Sequence, residues 1–348
     1  MKVLVRADAN LEIGSGHVMR CAALGAKLKA SGASVHFVSS NLPSGLEHWL
    51  IDNFFGLTVI VSDHITDWHA DYVATSEVIQ TIGEVDLLIV DHYHLDQKWE
   101  SKMRRHAKRI LVIDDLANRD HDCDFLLDQN LHENAQHRYL NRVPINTKLF
   151  LGPQYACLRK EFEDESLSLV REGNVTRLLV FFGGTDPGNQ TLKVVNALLS
   201  LGIAAPICTV VLGPANPFGK EIHREVVGSR NIKVLDATDN MATLMHQADL
   251  AIGTCGLAAW ERCVLGLPSL VVITAENQRE DAEILARLGA VENLGNADLL
   301  RSENWEIAIK RAIQNPNRIR NMSIASREVM FGRAEACASF QRALLGVS

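Results

Sequence analysis

The 348-residue sequence lacks the features that would tie it to a membrane, a polyanion or an oxidising compartment. Its longest apolar run, residues 264–273, is about half a bilayer span and contains Gly266 and Pro268. The formal charge of −7 argues against nucleic acid as an expected partner. Seven scattered cysteines never form Cys-x-x-Cys, which favours reduced, mainly structural thiols. Arg6 and Asp8 interrupt the apolar start, so we expect no signal peptide, no stable membrane association and a cytoplasmic location.

Several motifs of nucleotide and ester chemistry are missing as well. The sequence has no Gly-x-x-x-x-Gly-Lys-[Ser/Thr], which argues against ATP hydrolysis of that kind, and no Gly-x-Ser-x-Gly of α/β-hydrolases. Gly14 and Gly16 start a dinucleotide fingerprint, but Met19 stands at its third glycine position. No acidic residue ends the next predicted strand, at residues 38–40. We therefore expect no cofactor.

Short apolar runs alternate with amphipathic stretches along the chain, which is 47% hydrophobic and 22% charged. Continuous apolar runs separated by helices are typical of a parallel sheet covered on both faces. The predicted strands are residues 2–6, 35–39, 57–61, 86–90 and 109–113, and then 177–182, 207–212, 232–235, 250–252 and 270–273.

A charged segment at residues 161–176 divides the two sets of strands and predicts a linker. We predict an α/β protein of two doubly wound, Rossmann-like domains facing a cleft, an N-terminal domain over residues 1–160 and a C-terminal domain over residues 177–348. The last stretch, residues 305–345, is helical by periodicity and either closes one domain or packs back on the other. Ligands of such sheets bind beyond the carboxyl ends of the strands.

His17 is the first candidate functional residue. It follows the first strand and falls at the start of a helix predicted over about residues 17–30. The positive end of a helix disfavours imidazolium, so a neutral His17 suits the role of a general base. The position is equally compatible with an N-cap residue or a partly buried core histidine.

Polar residues follow the fourth and fifth predicted strands: Asp91, His92, Tyr93 and His94, and then Asp114 and Asp115. We expect them to line the cleft near His17, with Asp91 and Asp114 also capping turns. A zinc or manganese site built from Asp91, His92 and His94 is an alternative. Adjacent strand residues point to opposite faces, so this spacing is not a ready chelate and we predict no metal.

Two glycine-bearing turns mark the second half of the chain. Gly183, Gly184 and Thr185 follow a strand, which is common in anion-binding turns and also in tight strand–helix connections. Thr254, Cys255, Gly256 and Leu257 follow another strand, where a helix begins with free N–H groups. Those groups and the helix dipole suit a pyrophosphate without any cation.

Further side chains accompany the second turn. Glu261 lies one to two helical turns on, where a carboxylate would accept ribose hydroxyls; the alternative is a surface glutamate. Asn277 and Gln278 follow the next strand. Cys255 at a helix N-terminus would be stabilised as a thiolate, but without an identifiable histidine partner we interpret it as a small residue lining the turn.

The segments RADANLEIGSGHVMRC, VDHY, FFGGTD, GTCGLAAWE and ENQ together resemble the UDP-sugar hydrolases of pseudaminic acid biosynthesis, soluble relatives of the glycosyltransferase-B superfamily. The resemblance runs from residue 1 to about residue 295 and is most specific in the opening motif. It implies a sugar-binding, catalytic N-terminal domain and a UDP-binding C-terminal domain. It also implies removal of UDP from C1 of a 2,4-diacetamido-2,4,6-trideoxy sugar by water, with inversion and without a metal.

The resemblance assigns roles to individual residues. His17 matches the active-site histidine and Tyr93 the tyrosine of the Asp-His-Tyr motif. The expected catalytic residues are His17, Tyr93 and Asp8, with Asp8 orienting His17 or the amide groups of the sugar. The residues expected to bind substrate are Arg6, Gly14, Gly16, Arg20, Asp91, His92, Gly183, Gly184, Thr185, Thr254, Cys255, Gly256, Leu257, Glu261, Asn277 and Gln278.

Two other functions fit the same residues. A glycosyltransferase would use an identical donor site and differ in having a true acceptor. A non-catalytic nucleotide-sugar-binding partner in a glycan assembly complex would bind UDP without turnover. In each case the expected partner is a small UDP-sugar and the expected state is a monomer. The sugar is expected to enter a cell-surface glycan, such as that of glycosylated flagellin.

Overall fold

A computed structural model describes residues 1–10, 14–40, 42–53, 55–60 and 67–347. Contacts divide the chain into two compact units. Unit 1 comprises Met1–Lys160 and Gly332–Ser348, and unit 2 comprises Glu161–Phe331. Within the described residues no helix is long and apolar enough to cross a lipid bilayer.

Unit 1 contains a parallel sheet whose strands are β1 (Lys2–Ala7), β2 (Ser34–Ser39), β3 (Gly56–Val59), β4 (Leu87–Asp91), β5 (Ile110–Ile113), β6 (Phe125–Asp128) and β7 (Lys148–Leu151). The strand order is β3-β2-β1-β4-β5-β6-β7. Its first helices are α1 (Gly16–Ala30), α2 (Ser44–Asp52), α3 (Trp68–Ile82), α4 (Gln97–Met103) and α5 (Ala135–Arg138).

Unit 2 contains a second parallel sheet with strands β8 (Arg177–Phe181), β9 (Ile207–Val211), β10 (Ile232–Leu235), β11 (Leu250–Thr254), β12 (Ser269–Ile273) and β13 (Val291–Asn296). The strand order is β10-β9-β8-β11-β12-β13. The helices are α6 (Gln190–Leu201), α7 (Gly219–Glu225), α8 (Met241–Gln247), α9 (Leu257–Val264), α10 (Arg279–Arg287), α11 (Ser302–Gln314) and α12 (Pro316–Val329).

The last helix, α13 (Arg333–Leu345), belongs to unit 1 although it follows unit 2 in the chain. Phe340 and Leu344 are buried in the core that also contains residues of β1, α1 and β5. The Phe340 ring lies 4.6 Å from the ring of Phe150 on β7. Residues 161–176, predicted as a linker, fall within unit 2.

Both sheets have the two-sided burial that their continuous apolar runs predict. All five residues of β4 and all five of β12 are buried. One face of the unit 1 sheet packs on α1 and α13, while the other forms a separate core that includes Trp99 of α4. The doubly wound α/β fold predicted from the alternation is confirmed.

The predicted strands all occur within two residues of their expected ends, although residue 61 of one prediction lies outside the described residues. Strands β6, β7 and β13 were not predicted from the sequence. Strands β6 and β7 have four residues each, and β7 and β13 are edge strands with half-exposed positions. Such short or partly polar segments give little periodicity to detect. The helical stretch at residues 305–345 is three helices, broken at Pro316 and Gly332.

Strand order reverses once in each sheet, and these two places position the candidate site residues. In unit 1 the chain moves outward from β1 to β3 on one side and from β4 to β7 on the other. In unit 2 the same reversal separates β8 from β11. The connections that leave adjacent strands at a reversal diverge, which opens a crevice beyond their carboxyl ends.

Candidate active site

His17 is held by a buried ion-pair cluster at the reversal point of unit 1. His17 is the second residue of α1, and Asp91 is the last residue of β4. Since β4 pairs with β1, and Ala7 with Asp91, the turn into α1 begins beside the end of β4. His17 Nδ1 lies 2.5 Å from Asp91 Oδ1, and both side chains are buried. The fold thus joins two predicted site residues that are 74 positions apart in sequence.

Arg20, one turn further along α1, completes this cluster. Its Nε donates to Asp91 Oδ2 at 2.6 Å and its Nη2 to Asp91 Oδ1 at 2.7 Å, a bidentate pair. Burial works to raise the pKa of Asp91, but the charge of Arg20 and the hydrogen bonds from Arg20 and His17 outweigh it and hold that pKa well below its usual range. Asp91 is therefore an anion that fixes both side chains. Its predicted turn-capping role is wrong, whereas Asp114 does cap a turn, accepting from Ala117 N at 2.8 Å.

The contact with Asp91 determines which nitrogen of His17 is free to exchange protons. An ionised carboxylate only accepts hydrogen bonds, so the 2.5 Å distance requires the proton on Nδ1. In the neutral ring Nε2 is then the acceptor. An imidazole oriented by a carboxylate, with Nε2 unprotonated, is the arrangement of a general base. The N-cap alternative for His17 is wrong because Ser15 occupies the N-cap.

Tyr93 lies against the other side of this cluster. Its ring meets the His17 ring edge to face, with centroids 4.5 Å apart and an interplanar angle of 85°. The Tyr93 hydroxyl donates to Asp115 Oδ2 at 3.4 Å, and Arg20 Nη1 donates to the same oxygen at 3.3 Å. The structure thus brings together His17, Arg20, Asp91 and Tyr93 as expected.

Asp8 belongs to a neighbouring buried cluster. Its carboxylate accepts hydrogen bonds from Ser40 N and Oγ, both at 2.7 Å, and from His92 Nε2 at 3.1 Å. Arg6 Nη2 donates to it at 3.0 Å, and Arg6 Nε also donates to Asp71 of α3 at 2.9 Å. The carboxylate that orients His17 is therefore Asp91, not Asp8. The partners of Asp8 place it among the groups that hold the strand ends of unit 1 together.

The Asp8 cluster also limits what Arg6 and His92 do. Arg6 is 1% exposed and bonded to two carboxylates, so its charge is already compensated within unit 1. Burial works to raise the pKa of Asp8, but the His92 hydrogen bond and the Arg6 charge hold it well below its usual range. Burial lowers the pKa of His92. Direct substrate contact by Arg6 or His92 stays a prediction, and their observed contacts are structural.

Two glycines, Gly14 and Gly16, lie at the start of α1. Gly14 has a φ of +73°, and its N–H donates to Asn10 O at 2.9 Å. Among the described atoms, none lies within 4 Å of where a side chain would start at Gly14 or Gly16. Both glycines therefore keep the backbone open to an approaching molecule, and their contact with substrate stays a prediction.

The predicted alternative of a metal site on β4 is not favoured by the geometry. Asp91 contacts His17 and Arg20, whereas His92 contacts Asp8, so the two side chains diverge. The His94 backbone N–H donates to His92 Nδ1 at 3.1 Å. Among the described residues, no group of three or more histidine, cysteine or acidic side chains is arranged to hold a metal ion.

The two glycine-bearing turns of unit 2 leave adjacent strands at its reversal point. Strands β8 and β11 are paired, with Phe181 opposite Gly253, so the turns at 183–185 and 254–256 emerge side by side. Gly183 has a φ of +87°, which favours glycine. Asp186 fixes the first turn, because its carboxylate accepts from the N–H groups of Gln190 and Thr191, both at 2.9 Å.

The second turn ends in an uncapped helix start. Gly256 is the N-cap of α9 and has no side chain to bond the first N–H groups, while Leu257 opens the helix and is half-buried. Thr254 and Cys255 are buried. Burial raises the pKa of the Cys255 thiol to about 12, which favours the interpretation of Cys255 as a small packing residue over a thiolate.

The polar residues predicted beside the second turn lie at different depths. Glu261 is 2% exposed, so the alternative of a surface glutamate is wrong. Gln278 is half-buried, and its Nε2 lies 3.8 Å from where a Gly256 side chain would begin. Asn277 is exposed. Gln278 is therefore the member of the amide pair that lies beside the start of α9.

Three residues at these sites were not predicted to take part in binding or catalysis. Arg262 reaches back under the second turn and donates from Nη2 to Thr254 O at 2.6 Å. Gly213 packs against the carbonyl oxygens of Gly183 and Gly184, leaving no space for a side chain. Asp115 joins the His17 cluster through Arg20. A signal existed for Gly213, since a glycine directly after a strand often marks close backbone approach.

Comparisons with known proteins agree with this architecture. Residues 178–336 match the glycosyltransferase family 28 C-terminal domain. The crystal structure of Acinetobacter baumannii MurG is similar with a TM-score of 0.65 and 14% identity, covering 99% of each chain. UDP-GlcNAc 2-epimerase from Neisseria meningitidis, solved bound to UDP-GlcNAc, is similar with a TM-score of 0.63 and 13% identity, covering 99% of this chain and all of that one. The chain therefore has the glycosyltransferase-B fold.

Three proteins are similar to this chain in sequence. The chain is 28% identical over 296 residues to the UDP-2,4-diacetamido-2,4,6-trideoxy-beta-L-altropyranose hydrolase of Campylobacter jejuni, covering 83% of this chain and 97% of that protein. It is 25% identical over 321 residues to the spore coat polysaccharide biosynthesis protein SpsG of Bacillus subtilis, covering 90% of each. A Methanocaldococcus jannaschii protein is 27% identical over 289 residues, 80% of this chain, and the chain spans 57% of the length of that relative.

Proposed function

We propose that this protein hydrolyses a UDP-linked 2,4-diacetamido-2,4,6-trideoxy sugar to UDP and the free sugar, with inversion at C1 and without a metal, in the biosynthesis of pseudaminic acid. The observation that carries the proposal is the orientation of His17 by Asp91, with Nδ1 protonated and 2.5 Å from the carboxylate. That geometry gives the chain a general base at the carboxyl edge of the unit 1 sheet.

The reaction assigns one task to each group. Water loses a proton to His17 Nε2 as its oxygen forms the new bond to C1, and the bond between C1 and the diphosphate oxygen breaks with its electron pair going to UDP. The imidazolium that forms is stabilised by Asp91, as its Nδ1–H already donates to that carboxylate. The proton then leaves to solvent, so the products are UDP, the sugar and one proton.

Unit 2 supplies the binding of the leaving group in this proposal. The charge that grows on UDP needs hydrogen-bond donors, and the first N–H groups of α9 beyond Gly256 have no side-chain cap. The turn at Gly183–Thr185 leaves the neighbouring strand and adds further backbone donors. Glu261, buried within the first turns of α9, is assigned to the ribose hydroxyls.

Similarity to the Campylobacter jejuni hydrolase over 83% of the chain supports the choice of substrate and of water as acceptor. A second candidate, a glycosyltransferase with a UDP-sugar donor, is favoured by the match of residues 178–336 to the glycosyltransferase family 28 C-terminal domain. The donor half of the site is the same for both, and only the acceptor separates them.

The test is to incubate the protein with the UDP-linked diacetamido sugar and EDTA in water enriched in ¹⁸O, and to follow the reaction by NMR and mass spectrometry. The proposal predicts UDP release, ¹⁸O at C1 of the sugar only, and initial formation of the inverted anomer. Turnover only after a sugar or lipid acceptor is added would establish the transferase instead. UDP binding without turnover under either condition would identify a non-catalytic binding protein.

A further inference from the structure

Arg262 differs from the other arginines that the structure buries. Four described arginines are less than a tenth exposed: Arg6, Arg20, Arg171 and Arg262. Arg6 and Arg20 are each bonded to two carboxylates. Arg171 donates to several backbone carbonyls, among them those of Ala248 at 3.2 Å and Met245 at 2.8 Å. Arg6 and Arg20 therefore have carboxylate partners, and every nitrogen of the Arg171 guanidinium donates to a carbonyl oxygen.

Arg262 has far less compensation. It is 2% exposed, and the hydrogen bond that its guanidinium forms with the described residues is the one from Nη2 to Thr254 O at 2.6 Å. Its buried Nε has no hydrogen-bond partner among the described residues. Burial lowers the pKa of Arg262 and also that of Arg171, so the unpartnered Nε is what distinguishes Arg262. A cation buried in this way destabilises the fold unless a ligand supplies negative charge.

The position of Arg262 identifies that ligand charge. Thr254 O and Cys255 N–H belong to one peptide group, which leads into the turn before α9. A cation on the carbonyl polarises this peptide and strengthens its N–H as a donor. Gly253, whose absent side chain would begin 3.2 Å from Arg262 Nη1, leaves space for the guanidinium beneath the turn. Gly253 is also paired with Phe181, two residues before Gly183 of the first turn.

We propose that Arg262 is the cationic positioning residue of the diphosphate site, acting through the Thr254–Cys255 peptide and the uncapped start of α9. The inference rests on the proposed function, because it takes the anion to be the diphosphate of a UDP-sugar. It differs from the expectation that the turn at residues 254–257 binds pyrophosphate without any cation. Phosphate recognition in unit 2 then combines backbone N–H groups with one buried charge that bulk salt screens poorly.

Affinities of UDP and of uridine, measured by calorimetry, test this role. Arg262→Met removes the charge and keeps much of the volume. We expect its Kd for UDP to rise roughly 10- to 100-fold, with the Kd for uridine changed less than about threefold. Arg262→Lys keeps a charge, and its Kd for UDP is expected to lie between those of the parent and Arg262→Met. The thermal midpoint of Arg262→Met is expected to equal or exceed that of the parent, since an undercompensated buried charge is gone.

Arg171→Met is the matched control, since Arg171 is also a buried arginine and donates to Leu265 O, at the other end of α9. Its loss should lower the thermal midpoint and leave the UDP affinity of the folded protein unchanged. An Arg262→Met variant that binds UDP as tightly as the parent would overturn the role of Arg262 and leave the proposed function intact. Failure of both Arg262 variants to fold would show a structural role and also overturn it. Failure of the parent to bind UDP more tightly than uridine would overturn the diphosphate assignment itself.

Discussion

Units 1 and 2 have the same doubly wound topology but place different chemistry at the reversal of their strand order. In unit 1, charged side chains lie at the reversal, where Asp91 contacts both His17 and Arg20. In unit 2 it carries glycine turns, a helix start and one buried cation, Arg262. Moving protons needs side chains that titrate, while holding a diphosphate needs donors whose positions the backbone fixes. The comparison predicts that substitutions in unit 1 affect turnover and those in unit 2 affect nucleotide affinity.

His17→Ala is expected to have the largest effect. Without the base, kcat should fall about 10²- to 10⁴-fold while the Kd for UDP stays the same, because UDP is assigned to unit 2. Turnover of the UDP-sugar by NMR and UDP binding by calorimetry measure the two quantities. His48→Ala, which changes an exposed histidine of α2 in the same unit, is the control. A His17→Ala variant with the parental kcat would remove the base from the mechanism.

Asp91→Asn should come next, and it affects both turnover and stability. The variant leaves the Arg20 cation buried without its bidentate partner, which costs about 3–5 kcal/mol of unfolding free energy. It also lets the His17 ring take the other tautomer, so kcat should fall even where the protein is folded. Urea unfolding at pH 7 measures the first effect, and kcat at 15 °C the second. An unchanged unfolding free energy would contradict the importance of the cluster.

The stability difference between the parent and Asp91→Asn should depend on pH. The pKa of Asp91 lies well below its usual range in the folded protein, against about 3.9 when unfolded. Its ionisation therefore stabilises the fold fully above pH 5, and this contribution decreases as the pH falls below about 4. Urea unfolding at pH 7, 5, 4 and 3 should show the two proteins converging in acid. A difference in unfolding free energy that stays constant down to pH 3 would show that ionisation of Asp91 does not cause it.

Gly213→Ala tests whether unit 2 depends on backbone position. A side chain there would overlap the carbonyl oxygens of Gly183 and Gly184, so the first turn must move. We expect UDP affinity to fall about tenfold with kcat at saturating substrate little changed. Gly219→Ala at the start of α7 is the control, since its side chain would begin 3.4 Å from Leu212 in ordinary contact. Equal affinities of the two variants would mean that the first turn does not hold the nucleotide.

Tyr93→Phe should have the smallest effect. The ring contact with His17 remains, and the lost hydrogen bond to Asp115 is long at 3.4 Å. We expect kcat to decrease roughly two- to fivefold and UDP affinity to be unaffected. A decrease in kcat as large as that of His17→Ala would mean that the Tyr93 hydroxyl takes part in proton transfer.

Much of the fold was predictable because its driving force is local in sequence. Strands such as β4 and β12 are unbroken apolar runs, and burial on both faces of a parallel sheet requires that composition. The edge strands β7 and β13 were missed because half-exposed positions remove that signal. Helix α13 belongs to unit 1 because Phe340 and Leu344 pack in a core whose other residues are distant in sequence. Helical periodicity does not indicate which core a helix joins.

The candidate site was predictable in its members but not in their pairing. His17, Asp91 and Tyr93 were selected from strand ends and a helix start and Arg20 from the resemblance, and the fold brings them together. Asp8, one residue beyond β1, was expected to orient His17 or the amide groups of the sugar. The pairing of β1 with β4 places Asp91, and not Asp8, beside His17.

The sequence by itself determined that this protein is a doubly wound α/β chain with polar and glycine-rich segments at its strand ends, because apolar periodicity and turn chemistry act over a few residues. Only the tertiary structure decided which carboxylate orients His17, that Glu261 is buried, and that Arg262 lies beneath a backbone turn with little compensation. Those features depend on strand order and register, which bring together atoms far apart in the chain and set the dielectric around each charge.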